Sequence, residues 1–104
     1  MITQITDISE FLVVLENEQA IVDFTAAWCG PCKKIAPIFH ELSEQRTDVR
    51  FYKVDIDQVP AAAELYGIRA MPTFVMFKSG QIVSTFAGAN PEKLAQEIEK
   101  TFEL

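Results

Sequence analysis

The sequence predicts an α/β fold in which a central mixed sheet of four to five strands is flanked by four helices. Two observations predict it. Short runs rich in β-branched and aromatic residues alternate with helical patterns along most of the chain, as in right-handed crossovers between parallel strands. The last two runs are instead joined by Ser79-Gly80, a two-residue hairpin signal that adds an antiparallel pair.

The predicted strands are separated from one another by turn or helix signals. Two of them contain "AIVDF" and "TFVMF", which are apolar almost without interruption and therefore typical of strands buried on both faces. The run at the start of the chain is expected to be an edge strand. The five runs are Ile2–Ile5, Ala20–Thr25, Val49–Ile56, Thr73–Lys78 and Gln81–Ala87.

Four helical segments fill the gaps between these runs. Each begins or ends at a residue that commonly caps helices or stands in their first turn. The first segment is expected to bury an apolar stripe of Ile8, Phe11, Leu12 and Leu15. The boundaries are Asp7 at the start of the first, Cys29 and Gln45 for the second, Pro60 and Gly67 for the third, and Asn90 at the start of the fourth.

Composition narrows the possible functions. The 104 residues are 49% hydrophobic, enough for one domain, which is predicted to span residues 1–104. The net charge of −6 argues against nucleic acid or an anionic membrane as a partner, because phosphate binding needs a basic surface. The N-terminal residues do not resemble a secretory signal, and two cysteines do not make a secreted disulfide framework. A reducing, cytoplasmic location is therefore expected.

The only two cysteines, Cys29 and Cys32, lie in "WCGPCK", where a predicted strand ends and a predicted helix begins. Free N–H groups and the helix dipole at this point favour a thiolate, so the pKa of Cys29 should be lowered. Cys32 follows three residues later on the same helical face. We expect Cys29 to be the accessible sulfur and Cys32 to be more covered.

Three interpretations of this pair compete. A zinc or iron–sulfur site needs about four ligands, and besides the two cysteines the chain has only His40 to offer as a typical partner, so no metal is predicted. A structural disulfide over two intervening residues would close too small a loop to stabilise much. A redox-active dithiol agrees with both the spacing and the strand–helix context, and is favoured.

Asp23 interrupts the apolar run "AIVDF" of a strand that is predicted to be buried. Burial of an unpaired carboxylate raises its pKa, so Asp23 could exchange a proton near neutral pH and assist Cys32. An exposed aspartate at the end of the strand is the alternative. Lys53, on the neighbouring predicted strand, either pairs with Asp23 or is an ordinary solvated lysine.

The stretches "VDFTAAWCGPCKKIAPIF" and "AMPTFVMFKSGQIVSTFAGAN" resemble thioredoxins, and most closely the cytosolic eukaryotic ones, through almost the whole chain. The resemblance implies the thioredoxin fold and a general protein-disulfide reductant. It implies that Cys29 is the nucleophile, that Cys32 is the resolving cysteine and that Asp23 is a buried acid. No bound cofactor is expected, since electrons would come from NADPH through a flavin-containing thioredoxin reductase. Disulfide-containing proteins would be the substrates, and the chain is expected to be a monomer.

The resemblance also assigns a surface that binds substrate proteins around the dithiol. Trp28 is interpreted as a partly exposed aromatic contact, while the glycine and proline between the cysteines permit close approach and stiffen the turn. The bond before Pro72 is expected to be cis, as in the family, leaving the Met71 backbone free to pair with an extended substrate segment. The predicted surface consists of Trp28, Gly30, Pro31, Met71, Pro72, Gly88 and Ala89.

Two other classes of function remain open at this stage. An oxidase or isomerase of the disulfide-isomerase kind would use the same two cysteines at a higher potential, although the Gly-Pro dipeptide is typical of reductants. A redox-inert binding subunit with this fold would need neither cysteine.

Overall fold

The computed structural model describes residues 1–103, which form five strands and four α-helices. Predicted and observed elements follow the same order along the chain. None of the helices in the described part is long and apolar enough to cross a membrane. The elements are β1 (Ile2–Ile5), a short 3-10 helix (Ile8–Glu10), α1 (Phe11–Glu16), β2 (Gln19–Thr25), α2 (Gly30–Gln45), β3 (Arg50–Asp55), α3 (Pro60–Leu65), β4 (Thr73–Lys78), β5 (Gln81–Ala87) and α4 (Pro91–Thr101).

The sheet is mixed, with the strand order β1-β3-β2-β4-β5. Strands β1, β3 and β2 run parallel to one another. Strand β4 pairs antiparallel with β2, and β5 pairs antiparallel with β4. The predicted α/β class with a central mixed sheet is therefore confirmed. Strand β2 lies in the middle, between β3 and β4, which explains why its sequence is apolar on both faces.

Two apolar clusters cover the two faces of the sheet. On the face of α1 and α3, the rings of Phe11, Phe24 and Tyr66 pack with centroids 5.3 to 6.1 Å apart. On the face of α2 and α4, Phe39 lies 5.4 Å from Phe74, and residues of both helices complete the cluster. Helix α2 is therefore fixed on the sheet along its length, and its first turn, where the cysteines lie, is held in place.

The prediction for the first helix is wrong in detail. Asp7 makes no side-chain hydrogen bond to a helix N–H, and Leu12 is 67% exposed. Phe11 is buried as expected, and Val14, which lies outside the predicted apolar stripe, is buried with it. A 3-10 turn precedes α1, and its three residues per turn rotate the apolar face away from the positions that an uninterrupted α-helix would bury.

The β4–β5 turn gives a first testable prediction. Gly80 has a φ of +79°, and a Cβ at this position would lie 3.0 Å from the Leu15 carbonyl oxygen. Gly80→Ala should therefore lower the free energy of unfolding by roughly 2 kcal/mol or more, from backbone strain plus this contact. Gly67→Ala is the matched control, because Gly67 has a φ of +64° with open space around it and should cost only about 1 kcal/mol.

Urea unfolding of both variants measures the difference. Equal losses of stability in Gly80→Ala and Gly67→Ala would contradict the prediction, since the close approach to Leu15 would then have no measurable cost.

Candidate functional site

The site lies at the carboxyl end of the central strand β2, where the chain enters α2. Cys29 is the N-cap residue of α2, and its Sγ accepts a hydrogen bond from the backbone N–H of Cys32 at 3.2 Å. The two residues form a disulfide, with their Cα atoms 5.3 Å apart. The sulfur of Cys29 also lies 3.7 Å from the carbonyl oxygen of Met71. The helix start therefore points N–H groups at this sulfur, as the sequence predicted.

The predicted contrast in exposure between the two cysteines is wrong for the disulfide form. Cys29 is 5% exposed and Cys32 is 4% exposed, because Ala26, Ile56 and Met71 pack around both. The two sulfurs differ in their surroundings instead. Cys29 contacts the Met71 backbone, whereas Cys32 lines a cavity on the sheet side of α2.

Asp23 is a buried acid on β2, in register with Lys53, which lines this cavity. Its side chain is 2% exposed, and its Oδ1 has no hydrogen-bond partner among the described residues. Burial raises the pKa of Asp23 from 3.8 to about 7, while the positive charge of Lys53 acts in the opposite direction and lowers it. The carboxyl group can therefore gain or lose a proton near neutral pH. Its burial agrees with the prediction, and its role in catalysis stays a prediction.

Lys53 lies directly opposite Asp23 in the register of β2 and β3, and Gln4 lies opposite Lys53 on β1. Register partners in neighbouring strands project from the same face of a sheet, so these three side chains form a row under the first turns of α2. Lys53 and Gln4 line the cavity, whose volume is about 480 Å³.

Trp28 stands beside the disulfide and is 66% exposed. Its Nε1–H donates a hydrogen bond to Oδ2 of Asp57 at 2.8 Å, and the backbone N–H of Asp57 donates to Oδ1 of Asp55 at 2.8 Å. The sequence interpretation missed Asp57. The sequence did contain a signal for it. Asp57 follows the end of β3, and because β2 and β3 are adjacent parallel strands, their carboxyl ends lie side by side.

Asp57→Ala should release the indole of Trp28 and weaken substrate binding. A side-chain hydrogen bond at an exposed position contributes about 1 kcal/mol, so KM for a protein disulfide should rise roughly fivefold with kcat little changed. Fluorescence anisotropy of Trp28, the only tryptophan, should report faster motion of the ring. Asp57→Asn is the control, because its amide oxygen can still accept the bond. A KM that rises equally in both variants would contradict the role of Asp57 as the hydrogen-bond acceptor that holds Trp28 in place.

The loop that precedes β4 faces the disulfide. The peptide bond between Met71 and Pro72 is cis, as the resemblance implied. The N–H of Gly88 donates a hydrogen bond to the Pro72 carbonyl oxygen at 3.0 Å, which joins the end of β5 to this loop. Gly88 has a φ of +111°, a conformation that side-chain-bearing residues rarely adopt, and Ala89 beside it is half-buried.

The two residues between the cysteines, Gly30 and Pro31, are the first two of α2 and are exposed. Proline at this position leaves the helix intact, because the first N–H groups of a helix have no partner within it. Within residues 1–103, no group of three or more potential metal ligands comes together.

A disulfide at a helix start, beside a buried acid whose pKa burial raises to about 7, is typical of a thiol–disulfide oxidoreductase site. Comparison with known proteins gives the same class. The thioredoxin family model matches residues 3–100. Thioredoxin-1 of Schizosaccharomyces pombe is 44% identical over 100 residues, covering 95% of this chain and 97% of the relative.

Solved structures agree. A thioredoxin structure from Plasmodium falciparum is 46% identical and superposes with a TM-score of 0.93, covering 96% of this chain and 99% of its own. The oxidised mitochondrial thioredoxin 3 of Saccharomyces cerevisiae is 41% identical with a TM-score of 0.90, covering 95% and 94%. The chain belongs to the thioredoxin family, and it is a protein-disulfide reductase.

Proposed function

We propose that the chain is a general protein-disulfide reductant in which Cys29 attacks and Cys32 resolves. The observation that carries this assignment is the hydrogen bond from the Cys32 N–H to the Cys29 sulfur at the start of α2. The same N–H and the helix dipole would stabilise a thiolate on Cys29 in the reduced protein. Cys32, one turn further into the helix, receives no such stabilisation.

Two exchange steps complete the reaction. The Cys29 thiolate attacks one sulfur of a substrate disulfide, forming a mixed disulfide and releasing the other substrate sulfur as a thiolate, which takes a proton. Cys32 then loses its proton and attacks the Cys29 sulfur. The bond between Cys29 and the substrate breaks, the Cys29–Cys32 disulfide forms, and the substrate leaves with both of its sulfurs reduced.

Asp23 would accept the proton of Cys32 in the second step. Its pKa of about 7 makes both its protonated and its ionised form available near neutral pH. Lys53 acts on Asp23 by charge, since it lowers the pKa that burial raises. We assign Asp23 to proton transfer and Lys53 to tuning.

The surface around the disulfide would bind the substrate chain. Met71, before the cis bond, offers backbone groups beside the Cys29 sulfur, and an extended segment can pair with them as a short added strand. Trp28 contributes an exposed apolar face. Small or rigid residues allow close approach elsewhere on this surface, namely Gly30, Pro31, Pro72, Gly88 and Ala89.

The electrons would come from a partner protein. We propose that a flavin-containing thioredoxin reductase passes them from NADPH to Cys29–Cys32, and that the chain binds no cofactor of its own. It would act as a monomeric single domain of residues 1–104 in the cytoplasm, in electron transport and cell redox homeostasis. A tagged full-length chain found in mitochondria of its host cells would contradict the cytoplasmic location.

A coupled assay tests the proposal. Thioredoxin reductase, NADPH and insulin are combined with the wild-type chain, and NADPH oxidation should require all four components. Cys32→Ser should stop after the first step and accumulate mixed disulfides, which mass spectrometry can map to Cys29. A wild-type chain that leaves insulin oxidised would contradict the reductant function.

The oxidase or isomerase alternative is tested by the redox potential. Equilibration with glutathione should give a value well below about −180 mV, and a value at or above it would favour an oxidase.

A further inference from the structure

Met71 is the most exposed sulfur-containing residue at the site. In the disulfide form, Cys29 is 5% exposed and Cys32 is 4% exposed, whereas Met71 is only half-buried. Part of its side chain packs against the cluster of Ala26 and the two cysteines, and the remainder faces solvent. An oxidant that approaches the disulfide form therefore meets Met71 more readily than either cysteine.

The chain has three methionines, which differ in exposure and in position. Met1 is 80% exposed, and its amino group donates a hydrogen bond to Ser43 near the far end of α2. Met76 is completely buried in the cluster between the sheet and the helices α2 and α4. Met71 combines access to solvent with a position at the disulfide, since its carbonyl oxygen lies 3.7 Å from the Cys29 sulfur. A change at Met71 would therefore act on the site, whereas a change at Met1 would not.

Oxidation converts the apolar thioether of a methionine into a polar sulfoxide. A substrate segment that pairs with the Met71 backbone would cover this side chain, and the new oxygen would then lose its water without gaining a hydrogen-bond donor. Covering a polar atom in this way weakens binding. The two exchange steps at the cysteines use no group of the Met71 side chain, so binding should be affected more than chemistry.

We propose that Met71 is a site of reversible oxidation by hydroperoxides, and that its sulfoxide weakens the binding of substrate proteins. The Met71 sulfur attacks one peroxide oxygen, an S–O bond forms, and the O–O bond breaks as two electrons pass from the sulfur to the peroxide. The second oxygen leaves as hydroxide and takes the proton of the first, which gives water and the sulfoxide. Reduction of the disulfide leaves this oxygen in place, because its removal requires a methionine sulfoxide reductase. The effect on binding rests on the substrate surface proposed above, and not on which cysteine attacks.

Peroxide treatment of the disulfide form separates this reaction from thiol oxidation, since residues 1–103 contain no free cysteine in that form. Two full-length variants are compared. Met1→Leu keeps Met71 as the accessible methionine, and Met71→Leu replaces it with an apolar side chain of similar volume. After treatment with hydrogen peroxide and its removal by catalase, mass spectrometry of the Met1→Leu chain should find one added oxygen on Met71 and none on Met76.

The coupled NADPH assay then measures the effect on insulin reduction. The treated Met1→Leu chain should have a KM for insulin about tenfold higher than before treatment, with kcat within about twofold. Methionine sulfoxide reductases A and B should restore the original KM. Met71→Leu should have a KM within about twofold of wild type and keep it after the same treatment.

An unchanged KM in a Met1→Leu chain that carries the oxygen on Met71 would overturn the proposal. So would a Met71 that takes up oxygen no faster than Met76. If Met71→Leu does not fold, reversal in the Met1→Leu chain decides, and a KM that stays high after the oxygen is removed would also overturn the proposal. An untreated wild-type chain that leaves insulin oxidised would refute the proposed reductant function, while faster oxygen uptake at Met71 than at Met76 would still support the oxidation site.

Discussion

Replacing Cys29 with serine is expected to lower the rate of insulin reduction by more than about 10³-fold. A serine hydroxyl at the start of α2 is not ionised at neutral pH, so the attacking group is lost altogether. Cys32→Ser should also lose turnover but keep the first step at near the wild-type rate. The coupled NADPH assay measures turnover, and a single-turnover reaction with insulin measures the first step.

The two serine variants control for each other. Each removes the disulfide and one sulfur from the same helical turn, so their folds should be affected alike. A Cys29→Ser chain that reacts with insulin in the single-turnover assay as fast as Cys32→Ser would contradict the unequal roles. Wild-type activity in both variants would favour the redox-inert alternative.

Replacing Asp23 with asparagine should stabilise the protein at alkaline pH. A pKa raised from 3.8 to about 7 means that ionising this carboxyl is harder in the folded state, by about 4 kcal/mol at roughly 1.4 kcal/mol per pKa unit. The folded state therefore binds more protons than the unfolded state between these two values. Stability should fall as the pH rises from about 4 to about 7, and this loss should be absent in Asp23→Asn.

Urea unfolding of the oxidised proteins at pH 4 and pH 8 measures this difference. Asp23→Asn should exceed wild type by up to about 4 kcal/mol at pH 8 and by little at pH 4. Asp7→Asn serves as the control, since Asp7 is exposed and its replacement should leave the stability nearly unchanged at both values. An Asp23→Asn chain that is no more stable than wild type at pH 8 would contradict the buried, destabilising carboxylate.

The elements of the fold that could be predicted are those whose ends are fixed by turn and capping residues in the sequence. Strands β4 and β5 have their predicted bounds because Ser79-Gly80 permits only a tight turn between two β-rich runs. Helix α4 begins as predicted, since the Asn90 side chain accepts the N–H of Lys93 at 3.1 Å. The first helix was predicted incorrectly because a 3-10 turn, closed by the hydrogen bond from the Glu10 N–H to the Asp7 carbonyl oxygen, precedes it, whereas the predicted stripe assumed an uninterrupted α-helix.

The residues of the site likewise fall into those that the sequence reveals and those that only the folded chain brings together. Cys29 and Cys32 could be found from their spacing, and Asp23 from a single charge within an apolar strand. The position of Asp57 after β3 was a signal that could have found it, but its hydrogen bond to Trp28 and the cavity could not be predicted, because both depend on which side chains the strands bring together. The equal exposure of the two sulfurs was missed for a related reason. It depends in part on Ile56 and Met71, which are distant from the cysteines in the sequence.

The unequal chemistry of the two cysteines is tested most directly by alkylation of the reduced protein. Iodoacetamide reacts with the thiolate, and mass spectrometry after brief exposure across a pH series distinguishes Cys29 from Cys32. The rate at Cys29 should be half-maximal well below about pH 8.5, the ordinary value for a free thiol, and Cys32 should stay nearly unmodified in that range. Equal alkylation of both cysteines, or faster alkylation of Cys32, would contradict the assignment of Cys29 as the nucleophile.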